Sequence, residues 1–164
     1  MILVGLGANL PSSAFGSPRE TCEAGLARLE KLGVAIVRRS RWYKSAPVPP
    51  SDQPWFVNGV AAVATGRAPV ELLGVLHGIE NEFGRVRRVR NEARVIDFDL
   101  LAYDDVVVAE GEGLVLPHPR LHERAFVLLP LAEVAPDWRH PVSGRPIADL
   151  IAALPRGQVA EPLD

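Results

Sequence analysis

Four stretches of the chain are rich in β-branched and aromatic residues or alternate apolar with polar side chains, and both patterns are typical of β-strands. The predicted strands cover residues 2–8, 34–43, 55–65 and 94–101. In the last of them, Asp97 and Asp99 fall on one face, because successive side chains of a strand point to opposite faces. Ile96, Phe98 and Leu100 fall on the other face, which is predicted to point into a core.

Two further stretches repeat apolar residues every three or four positions, as amphipathic helices do. Ser-Pro-Arg-Glu at 17–20 is a capping box with proline at the first helical position, so the first helix begins there and Gly33 can end it. The second helix begins near Pro69, and Gly84 suits its C-cap. The resulting order, β-α-β-β-α-β, predicts an α+β, ferredoxin-like fold whose antiparallel sheet has helices on one face.

Smaller elements are predicted after the fourth strand. Asp104 and Asp105 suit a turn, and Pro130 is expected to kink its helix or end it early. The tail from Pro155 is expected to fray. The predicted elements are a hairpin through Val106–Val108, a helix over 121–133 and a short helix over 146–154. The whole chain, 1–164, is expected to form a single domain.

Composition narrows the class of protein. The 164 residues include 18 Lys and Arg against 20 Asp and Glu, so the basic excess of a general nucleic-acid binder is missing. The single cysteine allows no internal disulfide, and no apolar run reaches the length of a membrane span. The apolar start of the chain has no basic segment and predicts a strand, not a signal peptide. We expect a soluble cytoplasmic protein with no nucleic-acid or membrane partner.

Paired carboxylates and clustered arginines indicate a site for a phosphorylated ligand. Asp97 and Asp99 would repel each other, and Mg²⁺ is typically held by one or two carboxylates together with substrate phosphates. Guanidinium groups match phosphate oxygens bidentately, and five precede the pair: Arg85, Arg87, Arg88, Arg90 and Arg94. The alternative for the two aspartates is a solvated strand face without a ligand. The alternative for the arginines is a basic loop that is solvated or binds RNA. Because the two features are adjacent, a polyphosphate is favoured, although Gly5-x-Gly7 completes neither a Rossmann nor a P-loop motif.

Further polar candidates lie on the second helix and in a later turn. His77 and Glu80 are three residues apart and share a helix face. Pro117 and Pro119 flank His118 in a rigid turn, with Arg124 nearby in the sequence. The alternative for His77 and Glu80 is an ordinary pair on the helix surface. The alternative for His118 is a loop histidine without a role.

A third group of residues is suited to bind a flat heterocycle. Phe56 and Asn58 alternate on the predicted third strand and share a face, and Phe126 follows Arg124 by two residues. Two aromatic rings can sandwich a heterocycle in offset stacks, while an asparagine offers the donors and acceptors that its edge requires. Core packing is the alternative for each phenylalanine taken singly.

Taken together and in order, these motifs closely resemble the 6-hydroxymethyl-7,8-dihydropterin pyrophosphokinase family of the folate pathway. The matching segments are Gly5–Leu10, Trp42–Pro47, Asp52–Asn58, Ile79–Arg87, Arg94–Leu100, Leu116–Arg120 and Arg124–Leu131. The resemblance implies a ferredoxin-like fold and transfer of pyrophosphate from ATP to the hydroxymethyl oxygen of the pterin, which gives AMP and the pterin diphosphate.

The resemblance also implies a monomer whose partners are two small molecules, ATP and the pterin, and it implies residue roles. Two Mg²⁺ ions would be held by Asp97 and Asp99, and the moving charge would be faced by Arg85 and Arg94. ATP would be faced by His77, Glu80, Arg87, Arg90, Arg94, His118 and Arg124. The pterin pocket would be formed by Gly7, Ser45, Ala46, Val48, Phe56, Asn58 and Phe126, with Gly7 at its floor.

The chain departs from the family pattern at several positions. Asn91–Ala93 stands where the family usually has an aromatic residue, glycine and proline, Ala8 replaces a usual serine and His77 a usual glutamine. Gly113 and Val115 stand where some members carry arginine and threonine for ATP. These departures bear on ATP affinity and loop closure, and they leave the carboxylate pair and the pterin pocket intact.

Two other functions are compatible with this topology. A two-metal nucleotidyl transferase would also use strand aspartates, but the pterin-like pocket argues against it. An RNA-recognition module would need exposed aromatic residues on the sheet face in a particular run. The chain has no such run, and the predicted carboxylates on that face would repel RNA.

Overall fold

The computed structural model of the protein describes residues 1–84, 95–109 and 113–163. The strands are β1 (Ile2–Ala8), β2 (Ala35–Arg39), β3 (Tyr43–Ser45), β4 (Phe56–Ala64), β5 (Asp97–Tyr103) and β6 (Ala160–Pro162). The helices are α1 (Pro18–Lys31), α2 (Pro69–Gly84), α3 (Ala125–Val134) and α4 (Ile147–Ala152), and a 3-10 turn covers Leu121–Glu123. No helix in these ranges is long and apolar enough to cross a membrane.

The six strands form one sheet in the order β5-β1-β4-β3-β6, and β2 pairs with a further part of β4. Every pairing between named strands is antiparallel. β1 therefore lies between β4 and β5, and each helix crossover joins strands that are not direct neighbours, which is the order of a ferredoxin-like sheet. The predicted fold class is confirmed.

Helices α1 and α2 pack on one face of the sheet. The capping box that begins α1 is present, since the Ser17 side chain accepts from the Glu20 amide and Glu20 accepts from the Ser17 amide. The main hydrophobic core lies between these helices and the sheet, where Leu76, Ile96 and Phe98 are at most 4% exposed. This core holds β5 with its alternate residues turned to the other face.

Helix α3 covers part of that other face. Leu128 and Leu131 are fully buried in a second core with Leu3, Val60 and Leu101 from the sheet. The helices predicted on one face are thus complemented by a C-terminal helix on the opposite one. Because α3 covers only part of that face, the remaining part stays open for a site.

The predicted second strand, residues 34–43, is interrupted. The structure divides it into β2 and β3, which both pair with β4, and the β2 register shifts between Ile36 and Arg38. Between them the Ser40 hydroxyl accepts from the Val60 amide at 3.0 Å, and the Trp42 indole donates to Glu23 at 2.7 Å. The Ser40 amide still donates to the Val60 carbonyl at 2.9 Å, so one backbone bond and these side-chain contacts take the place of regular pairing here.

Two predictions for the C-terminal third need correction. Of the two outcomes expected for Pro130, a kink or an early end of the helix, the early end is wrong, because α3 continues to Val134. A proline inside a helix costs roughly 3 kcal/mol, and the buried leucines around it offset this, since each contributes about 1.5–3 kcal/mol. In place of the predicted hairpin, Asp104 makes a turn with φ of 52°, and the later pairing is a single bridge between Val108 and Leu116.

The tail does not fray, contrary to expectation. Strand β6 pairs with β3, so that Ala160 lies opposite Ser45 and Pro162 opposite Tyr43. A proline is tolerated here because β6 is an edge strand with one side unpaired. Backbone hydrogen bonds to an existing edge order this segment, although its sequence has no strand pattern.

Glu133, near the end of α3, fastens that helix to β3. Its carboxylate accepts from the Tyr43 hydroxyl, from the Arg41 amide at 3.0 Å and from the Arg41 guanidinium at 2.9 Å. Burial raises the pKa of Tyr43 to about 12, and its hydrogen bond to Glu133 acts in the same direction. For Glu133 itself, burial acts to raise the pKa, but the hydrogen bonds from Arg41 and Tyr43 outweigh it and leave the pKa lowered.

We expect Glu133→Gln to lower the free energy of unfolding at pH 7. A carboxyl whose pKa is depressed by folding stabilises the protein above its unfolded pKa, and this contribution disappears as the pH falls through the folded pKa. The stability difference between wild type and Glu133→Gln should therefore shrink below about pH 4. Urea unfolding at several pH values measures it, and a difference independent of pH would contradict the ionic role of Glu133.

Candidate active site

The open part of the second sheet face contains a cavity of about 320 Å³. It lies between the ends of β1, β4 and β5, the last turns of α2 and the first turn of α3. Its lining is formed by Gly5, Leu6, Gly7, Ser45, Ala46, Val48, Phe56, Asn58, Gly59, Val60, His77, Glu80, Asp97, Phe98, Asp99, Arg124, Phe126 and Val127. The volume suits a small ligand, since such pockets commonly measure 300–1,000 Å³.

One row of residues crosses the sheet at the floor of this cavity. Gly7 on β1 lies opposite Asn58 on β4 and opposite Asp97 on β5. Two residues earlier on β1, Gly5 lies opposite Asp99, and the Leu101 side chain lies next to it. Because directly opposed residues share a face and glycine has no side chain, Gly7 leaves space between Asp97 on β5 and the Asn58 amide on β4.

Both carboxylates line the cavity, as the strand alternation predicts. Between them Phe98 is buried in the main core, 4% exposed, and anchors the strand from behind. The Phe98 amide donates to the Glu80 carboxylate at 2.8 Å, so α2 also holds the backbone between the two aspartates. Glu80 thus has a second contact besides the cavity, which its sequence spacing did not predict.

His118 lies at the edge of the carboxylate pair. Its Nε2 is 3.9 Å from Asp99 Oδ1, and its Nδ1 accepts from the Arg120 amide at 3.2 Å. Burial lowers the pKa of His118, Asp99 opposes this shift, and Arg124 and Arg120 add to it. Since Nδ1 is occupied as an acceptor, the neutral ring carries its proton on Nε2, directed toward Asp99.

The oxygen atoms at this site suit a magnesium ion whose remaining ligands come from a substrate and from water. Among the described residues, no three His, Cys, Asp or Glu side chains are grouped so that they could hold a metal. Asp97 and Asp99 supply hard oxygen ligands next to open space, and Mg²⁺ commonly binds through one or two carboxylates, phosphates and water. The site therefore fits a metal bound together with a phosphorylated ligand.

The opposite wall of the cavity combines an amide with aromatic rings. The buried Ser45 hydroxyl donates to Asn58 Oδ1, which leaves the amide Nδ2 as a donor toward the cavity. Phe56 and Phe126 are both partly exposed, and Phe126 also packs against the second core. The Arg124 guanidinium lies over the Phe126 ring, 5.4 Å from its centre.

Most of the candidates chosen from the sequence meet in this cavity. Val48 lies at its mouth, 54% exposed, and His118 approaches it through Asp99. Arg85, Arg87, Arg88, Arg90 and Arg94, with the Asn91–Ala93 departure, lie outside the described residues. The sequence reading missed Gly5, Leu6, Gly59, Val60, Phe98 and Val127. The period-two pattern could have found Val60, which shares a strand face with Asn58.

Comparison with known proteins shows the family to which the chain is similar. Residues 3–136 match the family model described as 7,8-dihydro-6-hydroxymethylpterin-pyrophosphokinase. A 2-amino-4-hydroxy-6-hydroxymethyldihydropteridine pyrophosphokinase of Pseudomonas aeruginosa is 44% identical over 155 residues, 94% of this chain and 91% of that protein.

More distant relatives extend the same comparison. The enzyme of the same name from Synechocystis sp. is 39% identical over 91% of this chain and 73% of its own length. The folic acid synthesis protein fol1 of Schizosaccharomyces pombe is 37% identical over 87% of this chain, which corresponds to 20% of that longer protein. The chain belongs to the 7,8-dihydro-6-hydroxymethylpterin-pyrophosphokinase family.

Proposed function

We propose that the cavity is the active site in which the chain carries out the reaction of its family. The protein transfers pyrophosphate from ATP to the hydroxymethyl oxygen of 6-hydroxymethyl-7,8-dihydropterin in folate biosynthesis. The observation that supports this location is the meeting of two different chemistries in one space of about 320 Å³. Carboxylates suited to a metal–phosphate group lie on one side, and aromatic and amide groups suited to a pterin lie on the other.

We propose that Asp97 and Asp99 hold two Mg²⁺ ions together with the phosphates of ATP. The ions would neutralise phosphate charge and orient the reacting phosphorus. His77, Glu80, His118 and Arg124 would face the nucleotide from the cavity wall and its edge. The Nε2 proton of His118 is directed toward this side, where a phosphate oxygen could accept it.

The pterin is proposed to lie between Phe56 and Phe126. Offset stacking on both rings would hold its plane, and Asn58 Nδ2 would donate to an acceptor on its edge. Ser45 orients that amide by donating to Oδ1. Ala46 and Val48 would complete the pocket wall, and Gly7 would form its floor.

In this arrangement the hydroxymethyl oxygen attacks the β-phosphorus of ATP. A bond forms from that oxygen to the β-phosphorus, and the bond from the β-phosphorus to the oxygen of the α-phosphate breaks. The hydroxyl proton is released, and AMP leaves with the electron pair of the broken bond. Arg85 and Arg94 are proposed to face the charge that moves, and Arg87 and Arg90 to face ATP. All four arginines lie outside the described residues.

The reaction products test this proposal directly. Protein, ATP, Mg²⁺ and 6-hydroxymethyl-7,8-dihydropterin are incubated and analysed by phosphorus NMR and chromatography. AMP and a pterin diphosphate are expected in equal amounts. Pterin-dependent ADP without AMP would indicate an ordinary kinase, and a lack of any pterin-dependent product would refute the assignment.

Replacing Phe56 or Phe126 with alanine is expected to weaken pterin binding. Stacking contributes roughly 0.5–1.5 kcal/mol beyond the burial of area, so the dissociation constant should rise at least about threefold in each variant. Calorimetry in the presence of Mg²⁺ and a non-hydrolysable ATP analogue measures it. Phe56→Leu is the control that separates loss of the ring from loss of apolar bulk, since leucine keeps the bulk and lacks the ring. An unchanged affinity in all variants would leave these residues a packing role only.

A further inference from the structure

The end of the chain contacts two walls of the cavity. Residues 156–163, here called the C-terminal strap, lie beyond the segment 3–136 that matches the family model. On one side β6 pairs with β3, and the Val159 carbonyl accepts from the Ala46 amide at 3.1 Å. Ala46 and its neighbour Ser45 both line the cavity. The strap is therefore joined to the wall that orients Asn58.

On its other side the strap contacts the first turn of α3 through one side chain. Gln158 Oε1 accepts from the Ala125 amide at 2.9 Å, and Gln158 Nε2 donates to the Glu123 carbonyl at 2.7 Å. The residue at the N-cap, Arg124, makes no side-chain capping bond. Gln158 thus satisfies one of the amides at the start of α3 that have no partner within the helix.

The two hydrogen bonds of Gln158 hold the chain next to two residues of the cavity wall. Arg124 lies between the bonded residues Glu123 and Ala125, and Phe126 directly follows them. The side chains of Arg124 and Phe126 both line the cavity. Gly157, with φ of 92°, makes the turn that brings Gln158 to this place. The strap therefore links the Phe126 wall to the Ser45–Ala46 wall by side-chain bonds at one end and strand pairing at the other.

We propose that Gln158 is a positioning residue for the pterin pocket. By holding the start of α3 to the strap, it sets the position of the Phe126 ring relative to the Asn58 wall. A stacking contact depends on ring position, so even a small displacement of this turn weakens it. The proposal rests on the proposed function, since it assumes that Phe126 stacks on the pterin.

The test uses Gln158→Met, which keeps the length of the side chain and removes both hydrogen bonds. We expect the KM for the pterin to rise about three- to tenfold, the change that corresponds to losing the stacking contact with Phe126. The value of kcat at saturating pterin should change less than twofold. A general loss of folded protein would act in the opposite way, lowering kcat and leaving KM unchanged.

A conservative variant and a matched control sharpen the test. Gln158→Glu keeps the acceptor for the Ala125 amide, next to the positive end of α3, and loses the donor to the Glu123 carbonyl. Its pterin KM should lie between those of wild type and Gln158→Met. Glu161→Gln removes an exposed ion pair of the strap with Lys44, 3.7 Å long, and should leave the pterin KM unchanged.

The outcomes separate this proposal from the proposed function. If the wild-type protein forms no pterin-dependent AMP, the proposed function fails. If wild type is active and Gln158→Met has the wild-type KM for pterin, the positioning role is refuted. It is also refuted if Gln158→Met lowers kcat and the melting temperature together without raising KM. A raised KM shared equally by Glu161→Gln would refute it too, because the strap as a whole and not Gln158 would then be responsible.

Discussion

Replacing Asp97 or Asp99 with asparagine is expected to lower pterin-dependent AMP formation by at least about 100-fold, as expected when a main electrostatic group is removed from an active site. Asparagine keeps the size of the side chain and removes a charge, so the phosphates of ATP would no longer be fully neutralised. Stability should change little, because both side chains line the open cavity, while Phe98 and Leu100 hold this part of β5 in the main core from its other face. Initial rates over a range of Mg²⁺ concentrations measure the loss.

The residue that directly follows β5, Asp104, supplies a matched control for the two aspartates. It pairs with the amino group of Met1 at 2.7 Å and lies outside the cavity. Its φ of 52° is one that asparagine adopts readily, so Asp104→Asn should fold and keep the wild-type rate. Full activity in Asp97→Asn or Asp99→Asn would remove the carboxylate pair from the mechanism.

Gly7→Ala is expected to weaken pterin binding by roughly fivefold or more, the factor that corresponds to an overpacking cost of about 1–3 kcal/mol. A Cβ atom at position 7 would lie 2.6 Å from Asn58 Nδ2 and 3.2 Å from the Val57 carbonyl oxygen. The backbone oxygen has little freedom to move. The Asn58 side chain must therefore shift, and its hydrogen bond with Ser45 then no longer orients it.

A double-mutant cycle tests whether Gly7 acts through Asn58. Asn58→Ala alone should weaken pterin binding, because it removes the donor to the pterin edge. If Gly7→Ala acts by displacing that amide, it should add little in the Asn58→Ala background, so the combined loss falls well short of the product of the two. Affinities are measured by titration with pterin. Two losses that simply multiply would show that Gly7 and Asn58 act independently.

The residues that could be predicted from the sequence owe their positions to local regularity. Strand alternation is enough to put Asp97 and Asp99 on one face, and the capping box is enough to begin α1 at Pro18. Phe56 and Asn58 share a face for the same reason as the aspartates. The resemblance to a known family then joined these separate elements into one site.

The features that were missed depend on long-range contacts. The break between β2 and β3 follows from Trp42 reaching Glu23, and β6 exists because an edge of β3 was free to pair. Gln158 contacts Ala125 across 33 residues, and no pattern around position 158 signals this. Such contacts arise from the meeting of distant segments, which periodicity cannot detect.

The alternation of polar and apolar side chains along β5 also disfavours an inactive fold in which this strand is misaligned. A slip of one residue in its pairing with β1 would exchange the two faces, burying Asp97 and Asp99 and exposing Phe98. Burying unpaired carboxylates costs several kcal/mol each, and the register shift between Leu3 and Val4 further pins the alignment. Molecules that complete folding therefore carry Asp97 and Asp99 on the cavity side, so the pairing of the sheet itself selects the arrangement that the proposed active site requires.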